Sequence, residues 1–212
     1  MSTWRLARFA ERAQDFHQRA VPEPAERSVW VCDATGPALV LGSAQADVGV
    51  HQAAGVAVVR RRSGGGAVLV VPGELLWVDL VLPARDPLWE DDVGRAFHWV
   101  GEAWARALAA LGVDARVHHG ALVRADWASE VCFAGLGPGE VTVDGRKVVG
   151  ISQRRTRAWA RFQCAALAHW DPAAIVPLLG LPPSAADDLA DVAAPVGVGL
   201  EPLLDALLRH LP

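Results

Sequence analysis

The chain has 212 residues, 52% apolar and 21% charged, with a formal net charge of −4. That length can bury a sizeable core, and the composition excludes a disordered chain. The slightly negative balance excludes a global basic field, so nucleic acid is not expected as a partner.

The opening stretch MSTWRLARFAERAQDF has no apolar core like that of a signal peptide. No run reaches the roughly 20 apolar residues of a membrane span, so a cytoplasmic chain with no membrane partner is expected. Residues 3–19 read as a helix, with Leu6, Phe9 and Ala13 on one face, ended by VPEPAER. SVWVC (28–32) and ALVLG (38–42) read as strands separated by the turn sequence DATGP, ADVGVHQAA as a short helix, and GVAVVR (55–60) as a strand. AVLVV and LLWVDLVL read as strands joined through PGE into a hairpin.

Between Asp91 and Leu111 the period changes. Val93, Phe97, Val100, Trp104, Leu108 and Leu111 recur every three or four residues, the pattern of a central helix with Asp91 and Asp92 at its start. GVDARVHH then reads as a helix stop and a strand. Strands around 141–143 and 147–152 meet at DGRK, where Asp-Gly signals a tight hairpin, and AWARFQCAAL is a further strand. The tail is helical in DPAAIVPLLG, in SAADDLADV with Ser184 as N-cap and Asp187 and Asp188 near its start, and in GLEPLLDALLRHL. The expected fold is α+β: a mixed, largely antiparallel sheet flanked by helices. No linker divides residues 1–212, which read as a single domain.

Chemistry concentrates in few places. In RRRSGGGAV (60–68) arginines precede consecutive glycines, which can turn backbone N–H groups toward an anion. The spacing is neither that of a P-loop nor that of a dinucleotide fingerprint. A solvated basic turn is the alternative. Lys147, in DGRKVVG, is the only lysine among the chain's 20 Lys and Arg residues. Its ammonium suits phosphoryl oxygens, although a surface hairpin position is the ordinary one. Three cysteines without CxxC spacing argue against a disulfide framework and a zinc site. Cys132, in EVCFAGLGPGE, reads either as a nucleophile, with His118 or His119 as base, or as a small buried hydrophobe. Cys32 and Cys164 read as core.

Taken together, RRRSGGGAV and VTVDGRKVVGISQRR resemble the lipoate–protein ligase family of the biotin/lipoate ligase and lipoyl/octanoyl transferase superfamily. GPALVLGSAQ (36–45) is similar to the family's strand before its first helix, and the resemblance spans residues 28–170. It implies a biotin/lipoate ligase-like catalytic domain that binds lipoate or octanoate in an apolar channel. ATP and Mg²⁺ would convert the acid to an acyl-adenylate, and the acyl group would pass to a lysine of a lipoyl carrier domain or of the glycine-cleavage H protein. The resemblance puts Arg61, Ser63, Gly64, Gly65, Gly66, Ala67, Gly150 and Arg154 around substrate and nucleotide. It puts Lys147 beside the carboxylate and α-phosphate, and Glu74 at Mg²⁺. The family's C-terminal accessory domain is expected to be absent, with a separate accessory subunit as a further partner.

Several positions depart from the family's pattern. Where ligases carry a His-Asp pair after the glycine loop, this chain has Val70 and Val71, and Glu74 replaces an asparagine. Trp30 replaces a first-strand arginine, and Gln163-Cys164 a later His-Gly. Two further readings stand beside the ligase. One is an ATP-independent octanoyl or lipoyl transferase that uses Cys132 as thioester nucleophile, a branch that Glu74-Leu75 also resembles. The other is a divergent, non-catalytic acyl or nucleotide binder.

Overall fold

The computed structural model describes residues 4–46, 53 and 55–212. In chain order the elements are β1 (Arg5–Glu11), α1 (Ala13–Gln18), β2 (Ser28–Ala34), β3 (Ala38–Leu41), β4 (Ala57–Arg60), β5 (Val68–Val70) and β6 (Leu75–Pro83). There follow α2 (His98–Ala109), β7 (Arg116–Val117), β8 (Val123–Arg124), β9 (Gly135–Leu136), β10 (Val141–Val143), β11 (Arg146–Arg155) and β12 (Trp159–Leu167). The chain closes with α3 (Pro172–Ile175), α4 (Ala185–Asp188) and α5 (Leu200–His210).

A seven-stranded sheet runs β1-β2-β6-β12-β11-β10-β7, with only the β1–β2 pair parallel. A three-stranded sheet, β4-β3-β5, and a β8–β9 pair complete the strands among the described residues. The expected α+β architecture with a largely antiparallel sheet is therefore observed. One face of the large sheet packs on α2 and α5, through Val100, Trp104, Leu108, Leu203 and Leu207. The other face packs on α1 and the small sheet, where Phe16, Val40, Val59 and Val70 meet Trp30, Trp77 and Val81. β6 is buried on both faces, which explains its continuous apolar run. Asp79 is the one charge in that run.

The local readings hold unevenly. Residues 3–19 are not one helix: β1 pairs in parallel with β2, and the helix begins only at Ala13. Leu6 and Phe9 fit a helical spacing, but pairing with the sheet decides the conformation, with Ala7 and Phe9 turned to the small-sheet side. β5 and β6 do not form a hairpin. β5 pairs with β3 in the small sheet, and β6 inserts between β2 and β12. The central helix is shorter than its periodicity, because a 3₁₀ turn at Arg95–Phe97 precedes α2. The Asp92 carboxylate accepts from Arg95 N at 2.9 Å, the helix-start role expected of it. Ser184 sits at the N-cap position of α4, but its side chain makes no capping hydrogen bond. The segment ADVGVHQAA lies largely outside the described residues. Among the described residues no helix is long and apolar enough to cross a membrane.

Candidate functional site

β4 delivers the chain into the loop Arg61–Ala67 between the two sheets. Arg61 is buried and faces inward. Its guanidinium donates to the carbonyls of Gly64 and Gly66, both at 2.8 Å, and to Val40 O at 3.3 Å. The arginine therefore braces the loop from inside and does not present its fork to solvent. Gly65 takes φ +98°, a conformation that side chains disfavour. A Cβ on Gly66 would lie 2.7–2.8 Å from the backbone of Val131 and Cys132. Ala67 is stitched to that same segment, donating to Glu130 O and accepting from Cys132 N. With carbonyls held inward, the N–H groups of Gly64, Gly65 and Gly66 have no acceptor among the described residues. They border a cleft of about 840 Å³.

Lys147 stands in the same cleft. The Asp-Gly turn that precedes it has φ of +49° at Asp144 and +78° at Gly145, the left-handed pair such hairpins require. The side chain is only 3% exposed. Nζ donates to Cys132 O and Gly135 O, each at 3.0 Å, and pairs with Glu140 Oε2 at 2.7 Å. Glu140 is held in turn by Gly137 N at 2.7 Å and Ile151 N at 3.0 Å. The ammonium is thus fixed in place by three acceptors before any ligand arrives.

A smaller, mostly apolar channel of about 50 Å³ opens beside the cleft. Gly150 and Ala165 are register partners on β11 and β12 and give it a floor without bulk, and Trp77 on β6 continues the same row. Val68, Val70, Leu75 and Phe133 cover it. Cys132, Ile151 and Ser152 line both channel and cleft, so the two meet there. The half-buried Cys132 has its Sγ 4.0 Å from Arg61 Nη2.

Other expected site residues fall elsewhere. Glu74 faces a separate hollow with His169 and Asp171, beyond the wall formed by Val68, Leu75 and Phe133. The turn after β5 carries it away from the glycine loop, so it does not join Lys147 as a metal ligand. Among the described residues no three His, Cys, Asp or Glu side chains converge to hold a metal. Among the described residues no cluster around Glu74 forms a protein-held Mg²⁺ site. Arg154 lies over Trp159 at 5.3 Å and lines neither channel nor cleft; burial, with Arg62 and Arg161 nearby, pushes its pKa down. His118 bonds to Ala121 O and His119 approaches Glu102, and neither lines the channel or the cleft that Cys132 borders. Cys32 and Cys164 are core, as expected; burial raises both thiols, Cys32 to about 12.

The profile of the lipoyl protein ligase A/B catalytic domain matches residues 8–199. The chain belongs to this family. No curated protein matches the sequence closely enough to add to that assignment. Among solved structures, the family fold recurs in the archaeal lipoylation system of Thermoplasma acidophilum, described as a bipartite lipoate protein ligase and its E2 lipoyl domain. That protein is 19% identical, with a TM-score of 0.76, and the match covers 99% of this chain and 82% of that one. Lipoate-protein ligase A bound with ATP is 18% identical, at TM-score 0.69, over 99% and 83% of the two chains. P. falciparum LipL1 in complex with lipoate is 11% identical, at TM-score 0.63, over 98% and 60%.

Four residues of this family member carry structure that the sequence reading did not single out. Glu140 anchors Lys147, and an only lysine that proves buried needs such a counter-charge. Asp79 and Arg161 form a buried ion pair, with Trp77 Nε1 donating to Asp79 at 2.9 Å; the charge inside LLWVDLVL was its visible sign. Burial pushes the Asp79 carboxyl up, against the lowering pull of Arg161, Trp77 and Gln163. Arg161 also donates to Phe16 O and Arg19 O and so clamps α1 to the sheet. The fourth is His17, which α1 presents to the channel. Burial, then the charges of Arg161 and Arg61, push it down to about 3.

A stability prediction follows from His17. The unfolded histidine titrates near 6.5, so below that pH the unfolded state binds a proton that the fold refuses. Its contribution is present above pH 6.5 and is lost as pH falls toward about 3. Between pH 7 and 5 the unfolding free energy should drop by about 1–2 kcal/mol. Urea titrations of the chain and of His17→Gln check this, the variant giving the flatter profile.

Proposed function

We propose that the chain is a lipoate–protein ligase-like enzyme that activates lipoate or octanoate with ATP and transfers the acyl group to a lysine of a carrier domain. One observation carries the reading. An apolar channel opens into a large cleft bordered by glycine N–H groups that have no acceptor among the described residues and by a fixed ammonium. Such a junction suits an acid whose tail is apolar and whose carboxylate must meet a phosphate.

In this reading the channel takes the tail and leaves the carboxylate at Ser152 and Cys132. The N–H groups of Gly64, Gly65 and Gly66 hold phosphate oxygens, with the Lys147 ammonium nearby. A carboxylate oxygen attacks the α-phosphorus, a new P–O bond forms, and the bond to pyrophosphate breaks. Lys147 offsets the charge that grows on the phosphoryl oxygens, and its three acceptors spare it reorganisation during the step. The carrier amine then attacks the acyl carbonyl and AMP leaves. A lipoyl domain or a glycine-cleavage H protein fits as acceptor, and a separate accessory subunit as a further partner. Structural neighbours described as a lipoate-protein ligase bound with ATP, LipL1 in complex with lipoate and a bipartite ligase with its E2 lipoyl domain support this reading.

ATP–pyrophosphate exchange tests the proposal. Exchange should require lipoate or octanoate and vanish without either acid. A folded chain, supplied with an accessory subunit, that shows no acid-dependent exchange would sink it. The position of Cys132 favours one second reading. Its thiol stands where the acyl carbon would emerge, so transfer through a thioester needs no other nucleophile. An acyl-thioester that Cys132→Ser abolishes, formed without ATP, would decide for that reading.

A further inference from the structure

The channel is apolar except along one wall. There the register row Ser152–Gln163–Asp79 crosses β11, β12 and β6, and α1 sets His17 against it. Ser63 Oγ donates to Gln163 Oε1 at 2.8 Å, and the Ser63–Ser152 contact is 3.0 Å, so Ser152 is the donor there. Gln163 Nε2 donates to His17 Nδ1 at 2.9 Å, and the same side chain also bonds Asp79. With Nδ1 accepting, the proton of the neutral His17 ring lies on Nε2.

Other strong donors around the channel are already used. Trp77 Nε1 is held by Asp79, and the Arg61 fork by loop carbonyls. His17 Nε2–H has no acceptor among the described residues. His17 is only 8% exposed, and its ring packs on Trp77 with centroids 4.6 Å apart. His17, Trp77 and Gln163 line the channel but not the cleft, so they stand away from the carboxylate end.

We infer that the channel selects acyl chains that carry a hydrogen-bond acceptor on their distal part, and that His17 is the donor that reads it. The inference rests on the acyl-channel reading and specifies the tail. A plain alkyl tail would cover the N–H and leave it unpaired, whereas a tail oxygen, or more weakly a ring sulfur, would accept from it. A site built around a buried donor rejects the analogue that lacks the partner.

Calorimetric titration of the intact chain with two acids of equal size tests this: 8-hydroxyoctanoate and nonanoate, which exchange a terminal hydroxyl for a methyl. The hydroxy acid should bind about tenfold more tightly or better. His17→Leu should abolish the preference by weakening the hydroxy acid and tightening nonanoate, which no longer buries an unpaired N–H, and His17→Gln, which keeps a donor, should restore part of it. Nitrogen-15 spectra of labelled histidine in the unaltered chain give a second measurement that no folding defect can obscure. The His17 Nε2 resonance should move with the hydroxy acid and stay with nonanoate. Equal affinities, a preference that survives His17→Leu, or an unmoved Nε2 would overturn the inference and leave the ligase reading intact. Binding of neither acid would overturn the acyl channel itself.

Discussion

Replacing Lys147 with methionine should lower acid-dependent ATP–pyrophosphate exchange by about 10²–10³-fold, the usual cost of removing one preorganised charge from a reaction centre. The side chain that fixes the ammonium also makes this a stability experiment. Glu140 would lose its counter-charge but keep the N–H groups of Gly137 and Ile151, so the fold should lose about 2–3 kcal/mol. Exchange is therefore measured well below the melting temperature of the variant, beside calorimetric binding of the acid. Acid affinity within a few-fold of the parent with exchange nearly gone is the expected split. Normal exchange in the folded variant would remove Lys147 from the chemistry. Arginine is no conservative substitute here, because a planar fork does not match carbonyls at Cys132 and Gly135 together with Glu140.

The second large effect is expected at Asp79. Asp79→Asn leaves the Arg161 guanidinium buried without its counter-charge, and breaking such a pair costs about 3–5 kcal/mol. For a chain of this size that lowers the melting temperature by roughly 6–20 °C, read by thermal denaturation. Removing both charges together, as Asp79→Leu with Arg161→Met, should recover most of the loss. If the single and double variants melt alike, the pair is not what holds that region. Because Arg161 grips the carbonyls of Phe16 and Arg19, the single variant should also loosen α1 and increase hydrogen exchange around His17.

The sequence made some of this legible. The Asp-Gly hairpin, the glycine loop and the leucine face of α5 rest on short-range rules, and each appears where those rules put it. The N-terminal strand did not announce itself, because Leu6, Phe9 and Ala13 satisfy a helical spacing and only the parallel partner β2 overrides it. The supposed β5–β6 hairpin failed for a similar reason. PGE can close a tight turn, but which sheet each strand joins depends on residues far along the chain. Within the site, Lys147 and the glycines were visible as types and spacings. The inward turn of Arg61 was not, since an arginine beside glycines reads as a ligand fork until its carbonyl acceptors are seen. Glu140, His17 and Asp79 matter through partners 7 to 146 residues away; the charge inside LLWVDLVL signals a buried pair, but no local pattern names Arg161 as its partner.

The burial of Lys147 also bears on how acylation would be read out. It is the only side-chain amine in the chain, 3% exposed, with its nitrogen engaged by three acceptors. The other basic side chains besides histidine are guanidinium groups, protonated at any working pH and poor nucleophiles. An activated acyl group released into solution therefore meets no accessible lysine on the folded protein that made it. Acyl-lysine recovered from a mixture with a carrier therefore reports the carrier, because background self-acylation on lysine, a common nuisance with reactive esters and anhydrides, has no exposed target here.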